Sequence, residues 1–263
     1  MRLDANALAL LLLLAWPLGA LAVAQERKAE PKAVASPATV AAVKARAART
    51  IIAIDPGHPS EVASGRGEQN GTNETRVAWE VALKLKTQLE TEGYEVVLTK
   101  SAEDELVRNR DRATVANRAR AALMVRLHCD ASIERGFAVY YPDRPGRTKD
   151  GAVGPSARVV EASARAARAI HAGMSEVLEG QLDDNGVRTD YQTKVGREQG
   201  GALTGSIFSD VPVVTVEMVV LSDAGDAEFI KSEAGQQKMA EAIAGGIARF
   251  VGPRVQAAPR GKN

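Results

Sequence analysis

Short runs of apolar, β-branched residues alternate along the chain with longer segments in which apolar residues recur at helical spacing. The first run, 51–55, contains three isoleucines and ends at Pro56-Gly57. Proline donates no N–H to a sheet ladder, so this run predicts a short buried strand followed by a turn. Similar runs predict strands at 94–99, 122–127, 136–141 and 211–221.

Between these runs lie segments with the periodicity of amphipathic helices. In the segment 74–92, the apolar residues Val77, Ala78, Val81 and Leu85 would share one face, and Gly93 would end the helix. Further helices are predicted at 106–121, 156–178, 226–231 and 233–251. The polar segment 180–210 has no clear period and predicts a long surface loop with one short strand near Val187.

This order of elements predicts an α/β fold, a three-layer sandwich with a mostly parallel central sheet flanked by helices. We expect this domain to cover residues 50–252. Residues 25–49 are rich in Ala, Pro, Lys and Arg, which predicts a flexible linker. Residues 1–24 combine Arg2, an apolar core and an Ala22-Val23-Ala24 cleavage site. They predict a signal peptide and export, and the alternative is an uncleaved membrane anchor.

Composition narrows the possible functions. The 263 residues carry a formal net charge of +1, which gives no electrostatic reason to expect a nucleic-acid partner. The single cysteine, Cys129, excludes an intramolecular disulfide. A histidine-rich metal site would have to use His58, His128 and His171, since these are the three histidines of the chain.

Four residues are candidates for chemistry. His58 and His128 each follow a predicted buried strand, at the edge where open α/β sheets hold their ligands. Glu217 lies within the apolar strand 213–220, where an unpaired charge would be costly. Glu74 opens the first helix on the same face as Val77, so its side chain is expected to point toward the core side.

Each candidate also has a purely structural interpretation. Glu74 would favour a helix N-terminus, Glu217 would pair with Arg126, and His128 would be a core histidine bonded to backbone. Taken together, however, two imidazoles and one carboxylate form the His₂Glu set of a catalytic zinc, and a second glutamate would be the general base. We interpret His171 as an ordinary helix residue and Cys129 as a small buried residue rather than a nucleophile.

Seven short motifs resemble, in the same order, those of a known family. The resemblance covers about residues 50–251 and is to the zinc-dependent N-acetylmuramoyl-L-alanine amidases with a type-3, AmiC-like catalytic domain. The motifs are IDPGH (54–58), NE (73–74), ALKL (82–85), GYEVVLTK (93–100), RATVAN (112–117), LHCDAS (127–132) and VTVEM (214–218).

The resemblance implies that His58, Glu74 and His128 are zinc ligands and that Glu217 is the catalytic glutamate. It implies cleavage of the amide bond between N-acetylmuramic acid and L-alanine of the peptidoglycan stem peptide. The chain departs from the family pattern at Pro59-Ser60, at Cys129-Asp130 and after Glu217. These departures remove none of the implied ligands, but they leave open the shape of the substrate groove and the muropeptide preferred.

Two other functions remain open at this stage. One is a catalytically silent module on the same fold, which would bind the cell wall or regulate an amidase. The other is a zinc peptidase or deacetylase that acts on other amides. The sequence also leaves open whether a protein activator acts on the enzyme and what its oligomeric state is.

Overall fold

In a computed structural model, the five predicted apolar strands and one further strand form a six-stranded sheet. The structure describes residues 50–62, 65–129 and 135–252, all within one compact unit. The strands are β1 (Ile51–Pro56), β2 (Glu95–Leu98), β3 (Leu123–His128), β4 (Phe137–Tyr141), β5 (Gly146–Arg147), β6 (Val153–Gly154), β7 (Asp184–Thr189) and β8 (Val213–Glu217). The order of strands in the six-stranded sheet is β2-β1-β3-β8-β4-β7. The short strands β5 and β6 form a separate antiparallel pair.

The α-helices are α1 (Glu74–Thr91), α2 (Asn109–Ala119), α3 (Ala157–Leu178), α4 (Lys194–Glu198), α5 (Thr204–Ile207), α6 (Ala224–Lys231) and α7 (Glu233–Val251). A 3₁₀ turn at Asp190–Gln192 precedes α4. Strands β1, β2, β3 and β8 run parallel, whereas β4 is antiparallel to β8 and pairs in parallel with β7. The predicted three-layer α/β sandwich with a mostly parallel sheet is confirmed.

The two faces of the sheet differ in polarity. Ile54, Val125 and Val216 belong to the large apolar core that also contains residues of α1, α3 and α7. Because successive strand residues point to opposite faces, Asp55, Arg126 and Thr215 lie on the other face. That face has a smaller apolar cluster at the amino ends of the strands and becomes polar toward their carboxyl ends.

Several predicted boundaries need correction. The helix predicted at 106–121 begins only at Asn109, since Arg108 has an extended backbone at the helix N-cap. The strand predicted at 211–221 is limited to Val213–Glu217. The connection between β4 and α3, for which no strand was predicted, contains the β5–β6 pair.

The segment 180–210 was wrongly predicted as a mainly irregular loop. The short strand near Val187 is confirmed as β7, but α4 and α5 follow it. These helices have five and four residues, too few to produce a visible apolar period.

Some predictions fall outside the described residues, namely the signal peptide 1–24, the linker 25–49 and residues 130–132 of one motif. Within the part of the chain that the structure describes, no helix combines the length and apolar character needed to cross a membrane.

Candidate metal centre and catalytic groove

Two neighbouring strands bring His58 and His128 together at the edge of the sheet. His58 follows β1, and His128 is the last residue of β3, which pairs in parallel with β1. The centroids of the two imidazole rings lie 5.1 Å apart, with an angle of 88° between the ring planes. One ligand atom from each of His58, Glu74 and His128 lies within 4.8 Å of the other two.

Glu74 joins the two histidines from the first turn of α1. Its Oε2 lies 3.3 Å from Nε2 of His58, and its Oε1 lies 2.8 Å from Nδ1 of His128. The backbone N–H of Cys129 also donates to Oε1, at 3.1 Å. Asn73 caps the helix by accepting a bond from the N–H of Arg76. The Glu74 carboxylate therefore faces the two histidines.

The surroundings keep both types of ligand in the protonation state that binds metals. Burial by itself would raise the pKa of Glu74, but hydrogen bonds from His128 and His58 outweigh it and hold the pKa well below its usual range. Burial lowers the pKa of His128, although Glu74 acts in the opposite direction. An ionised carboxylate and a neutral imidazole are the forms that coordinate metal ions.

The donor set fits a zinc ion on several grounds. It offers two imidazoles and one carboxylate, as in catalytic His₂Glu zinc sites, which keep a further position for water. The side chains of His58, Glu74 and His128 are 12–15% exposed, so a metal ion can reach them from solvent. Among the described residues, Nε2 of His128 is buried and has no hydrogen-bond partner.

A buried cluster of charges lies beneath the histidines. The Asp55 carboxylate is fully buried and accepts from Nη1 of Arg112 at 2.7 Å and from Nε of Arg126 at 2.9 Å. Thr99 also donates to it through its hydroxyl group. Burial would raise the pKa of Asp55, but Arg112 and Arg126 more than offset this and hold it well below its usual range.

The same cluster fixes the loop that carries His58. Arg112 also donates to the backbone carbonyls of Pro56, at 2.6 Å, and Pro59, at 2.8 Å. The Lys100 ammonium group donates to the carbonyl of His58 itself. His58 has a φ of 48°, a left-handed conformation that is uncommon for residues other than glycine. Side-chain donors on both sides of His58 therefore hold it in this conformation.

Two glycines allow the close approach of the ligands. A Cβ atom at Gly57 would lie 2.6 Å from Cε1 of His128, and one at Gly65 would lie 2.4 Å from Cγ of His58. Gly65 also has a φ of +80°, which other residues rarely adopt.

Glu217 stands beside the histidines at the end of β8. It is the register partner of His128, and both residues line a cavity of about 500 Å³ together with His58. The N–H of Met218 donates to the carbonyl of His128, which ties the two strand ends together. Arg126, the basic partner considered for Glu217, donates instead to Asp55 and to Asn109.

The side chains of His171 and Cys129 do not belong to the group of His58, Glu74 and His128. Nε2 of His171 is 2.7 Å from Oδ1 of Asp184, where it links α3 to the start of β7. Cys129 is buried beside the site, and its burial raises the pKa of the thiol well above the usual value, with further contributions from Glu74 and Glu217. The thiol therefore stays protonated at neutral pH, as expected for a residue that is not a nucleophile.

Sequence reasoning did not identify the supporting residues Asp55, Lys100 and Arg112 or the cavity wall around Arg188. A usable signal existed for some of them, because Asp55 and Arg126 interrupt otherwise apolar strands, where a charge needs a partner. No comparable pattern marked the cavity wall, since the segments that form it are short and polar.

Comparison with known proteins identifies the family of this chain. The family model described as N-acetylmuramoyl-L-alanine amidase matches residues 52–249. The chain is 28% identical over 242 residues to N-acetylmuramoyl-L-alanine amidase Rv3717 of Mycobacterium tuberculosis, covering 83% of this chain and 93% of that protein. It is 28% identical to N-acetylmuramoyl-L-alanine amidase AmiC of Neisseria meningitidis, covering 79% of this chain but only 54% of that protein.

The fold also matches solved structures. N-acetylmuramoyl-L-alanine amidase AmiC2 of Nostoc punctiforme superposes with a TM-score of 0.59 at 24% identity, and the match covers 77% of this chain and 97% of that one. At this identity the likeness concerns the fold alone.

The buried Asp55 cluster gives a testable prediction. We expect Asp55→Asn to lower the free energy of unfolding at pH 7 by about 3–5 kcal/mol, because it leaves two buried guanidinium groups without their anion. The pKa of Asp55 is lowered in the folded state, so its contribution is complete above about pH 4 and is lost as the pH falls toward the folded-state value. Urea unfolding at pH 7 and pH 3 measures both effects.

Asp183→Asn is the matched control, since Asp183 pairs with Arg135 at 3.0 Å on the surface, where both side chains are more than half exposed. We expect it to change stability by at most about 1 kcal/mol. Equal costs for the two substitutions, or a gap between wild type and Asp55→Asn that widens in acid, would contradict the assigned role of Asp55.

Proposed function

Since the chain belongs to the N-acetylmuramoyl-L-alanine amidase family, we propose that it works with a zinc ion held by His58, Glu74 and His128 and with Glu217 as general base. The reaction is hydrolysis of the amide bond between N-acetylmuramic acid and L-alanine in peptidoglycan. The observation that carries the zinc proposal is the convergence of the three donor atoms within 4.8 Å.

Hydrolysis of an amide requires an activated water, stabilisation of the negative charge that develops on the carbonyl oxygen, and a proton for the departing nitrogen. A zinc ion bound by this donor set supplies the first two, since it lowers the pKa of a water molecule and polarises the carbonyl group. The protein must supply the proton transfer.

Glu217 is the carboxylate best placed for that transfer. It lies opposite His128 on the neighbouring strand and lines the same cavity, whereas Glu74 is held by both histidines and by the N–H of Cys129. Its carboxylate would take a proton from the attacking water and pass it to the amide nitrogen as the bond breaks. The nitrogen then leaves as the free amino group of L-alanine.

The alternatives raised by the sequence have less support. A silent module would not require three converging ligands and a further carboxylate in the same cavity, and the matching family is one of enzymes. A peptidase or deacetylase would use similar chemistry, but the family match covers residues 52–249 and is to muramoyl amidases.

The ligand assignment predicts the metal content of variants. We expect one zinc per wild-type chain and little in His58→Ala or His128→Ala, because each variant leaves only two protein ligands. Elemental analysis of the purified, dialysed proteins measures this. His171→Ala is the control, since His171 bonds to Asp184 instead, and it should retain full zinc. Full occupancy in both ligand variants would refute the site.

The general-base assignment predicts a different outcome for Glu217→Gln. This substitution keeps the size of the side chain but removes its basic oxygen. We expect normal zinc content, with kcat for muropeptide hydrolysis lower by about 10²–10⁴, the usual contribution of a general base. Wild-type turnover would mean that the base lies elsewhere. Loss of zinc would mean that Glu217 is a ligand and that Glu74 is not required as one.

We also propose that the protein is exported to the periplasm or the exterior, where peptidoglycan lies. The support is the sequence of residues 1–24, with its apolar core and small-residue cleavage site. Mass spectrometry of the mature protein should find an N-terminus at Gln25 or within a few residues of it. A soluble cytoplasmic protein that begins at Met1 would argue against export.

A further inference from the structure

A second row of polar side chains crosses the sheet two residues before His128 on β3 and two residues before Glu217 on β8. We call it the inner row; it consists of Arg126, Thr215, Tyr140 and Arg188. The register pairs Arg126 with Thr215, Thr215 with Tyr140, and Tyr140 with Arg188. All four residues line the cavity that also contains His58, His128 and Glu217.

The distance between the two rows follows from strand geometry. Arg126 precedes His128 by two residues on β3, and Thr215 precedes Glu217 by two residues on β8. Residues two apart point to the same face of a strand and are separated by roughly 6.6 Å. A ligand whose reacting bond lies near Glu217 therefore contacts the inner row through a group that is roughly 6.6 Å from that bond.

The cavity wall favours an anion. Three of the described residues that line it carry a positive charge, namely Arg126, Arg188 and Lys194. Among the same described residues, and leaving His58 and His128 aside, only Glu217 carries a negative charge. The guanidinium of Arg126 is fixed by bonds to Asp55 and Asn109. Asp55 also pairs with Arg112, so two guanidinium groups share one carboxylate and this cluster remains positively charged.

An independent observation also indicates a ligand. Thr215 is only 3% exposed and lines the cavity, yet its hydroxyl oxygen has no hydrogen-bond partner within the described residues. A buried hydroxyl without a partner is costly, and a bound anion would accept a hydrogen bond from it.

We propose that the inner row binds the free α-carboxylate of the second stem-peptide residue, the γ-linked D-glutamate that follows L-alanine. This inference rests on the amidase function. In an extended peptide, two residues span roughly 6.6–7.2 Å. The α-carboxylate of that glutamate thus lies about one row away from the amide nitrogen that is cleaved. The row therefore distinguishes D-glutamate from its α-amidated form, isoglutamine.

The test compares two muropeptides that differ only in this group, the α-carboxylate or the α-carboxamide. For the zinc-loaded wild-type enzyme, we expect kcat/KM to be about 10-fold higher with the carboxylate. A factor of this size corresponds to the contribution of one hydrogen bond to a charged group. Arg188→Gln should bring the ratio of the two kcat/KM values close to one. Thr215→Val, which keeps the shape of the side chain, should lower the ratio in part and serves as the second variant.

Arg197→Gln is the matched control. Arg197 is an exposed arginine of α4 that does not line the cavity, so this variant should keep the wild-type ratio. A wild-type enzyme that cleaves both substrates equally, or that prefers the carboxamide, overturns the proposal. An Arg188→Gln variant that slows both substrates by the same factor also overturns it.

A binding measurement separates this proposal from the amidase function itself. Calorimetric titration of wild-type protein with the dipeptide L-Ala-γ-D-Glu and with L-Ala-D-isoglutamine does not depend on turnover. We expect the carboxylate dipeptide to bind about 10-fold more tightly, as one hydrogen bond to a charged group allows. Equal binding of the two dipeptides would contradict the proposed subsite even if the enzyme cleaves muropeptides. Selective binding without cleavage of muropeptides would instead contradict the proposed catalytic function.

Discussion

The buried pairing of Asp55 with Arg112 and Arg126 is the interaction on which the site depends. One carboxylate on β1 holds a guanidinium from α2 and another from β3, so three elements meet at a single charged group. Arg112 continues to the backbone on either side of His58. Such a cluster is costly to desolvate, and it is best understood here as fixing one arrangement of the loop that carries His58.

That rigidity has a chemical purpose. The three proposed zinc ligands come from β1's end, the start of α1 and the end of β3, far apart in sequence. None of these positions is set by a local motif, so the sheet register and the helix start must supply the geometry. Hydrogen bonds from the two histidines lower the pKa of Glu74, and burial lowers the pKa of His128. Both shifts favour a metal ion over protons.

The sequence was most informative where the chain follows regular periods. The strand 51–55 and helices such as 74–92 were predicted nearly to the residue, and the positions of His58 and His128 after predicted strands pointed to one edge of the sheet. Glu217 was expected inside its strand, and the structure places it at the strand's end. From its place on the helix face, Glu74 could be expected only to point toward the core side; its grouping with the histidines came from the family resemblance. The network around Asp55 could not, because its partners lie 57 and 71 residues away along the chain.

The cavity wall was the least predictable part. Helices α4 and α5 are too short for a hydrophobic period, and the inner row appears only when the register of β3, β8, β4 and β7 is known. Side chains that are neighbours across four strands leave no trace in the spacing of a single strand.

Anomalous diffraction at the zinc edge, from crystals of the mature protein, tests the central claim most directly. The account predicts one peak at about 2.0–2.2 Å from a nitrogen of His58, an oxygen of Glu74 and a nitrogen of His128, with the Glu217 carboxylate outside the ligand shell. A peak coordinated by Glu217 in place of Glu74, or a peak away from these histidines, would contradict it.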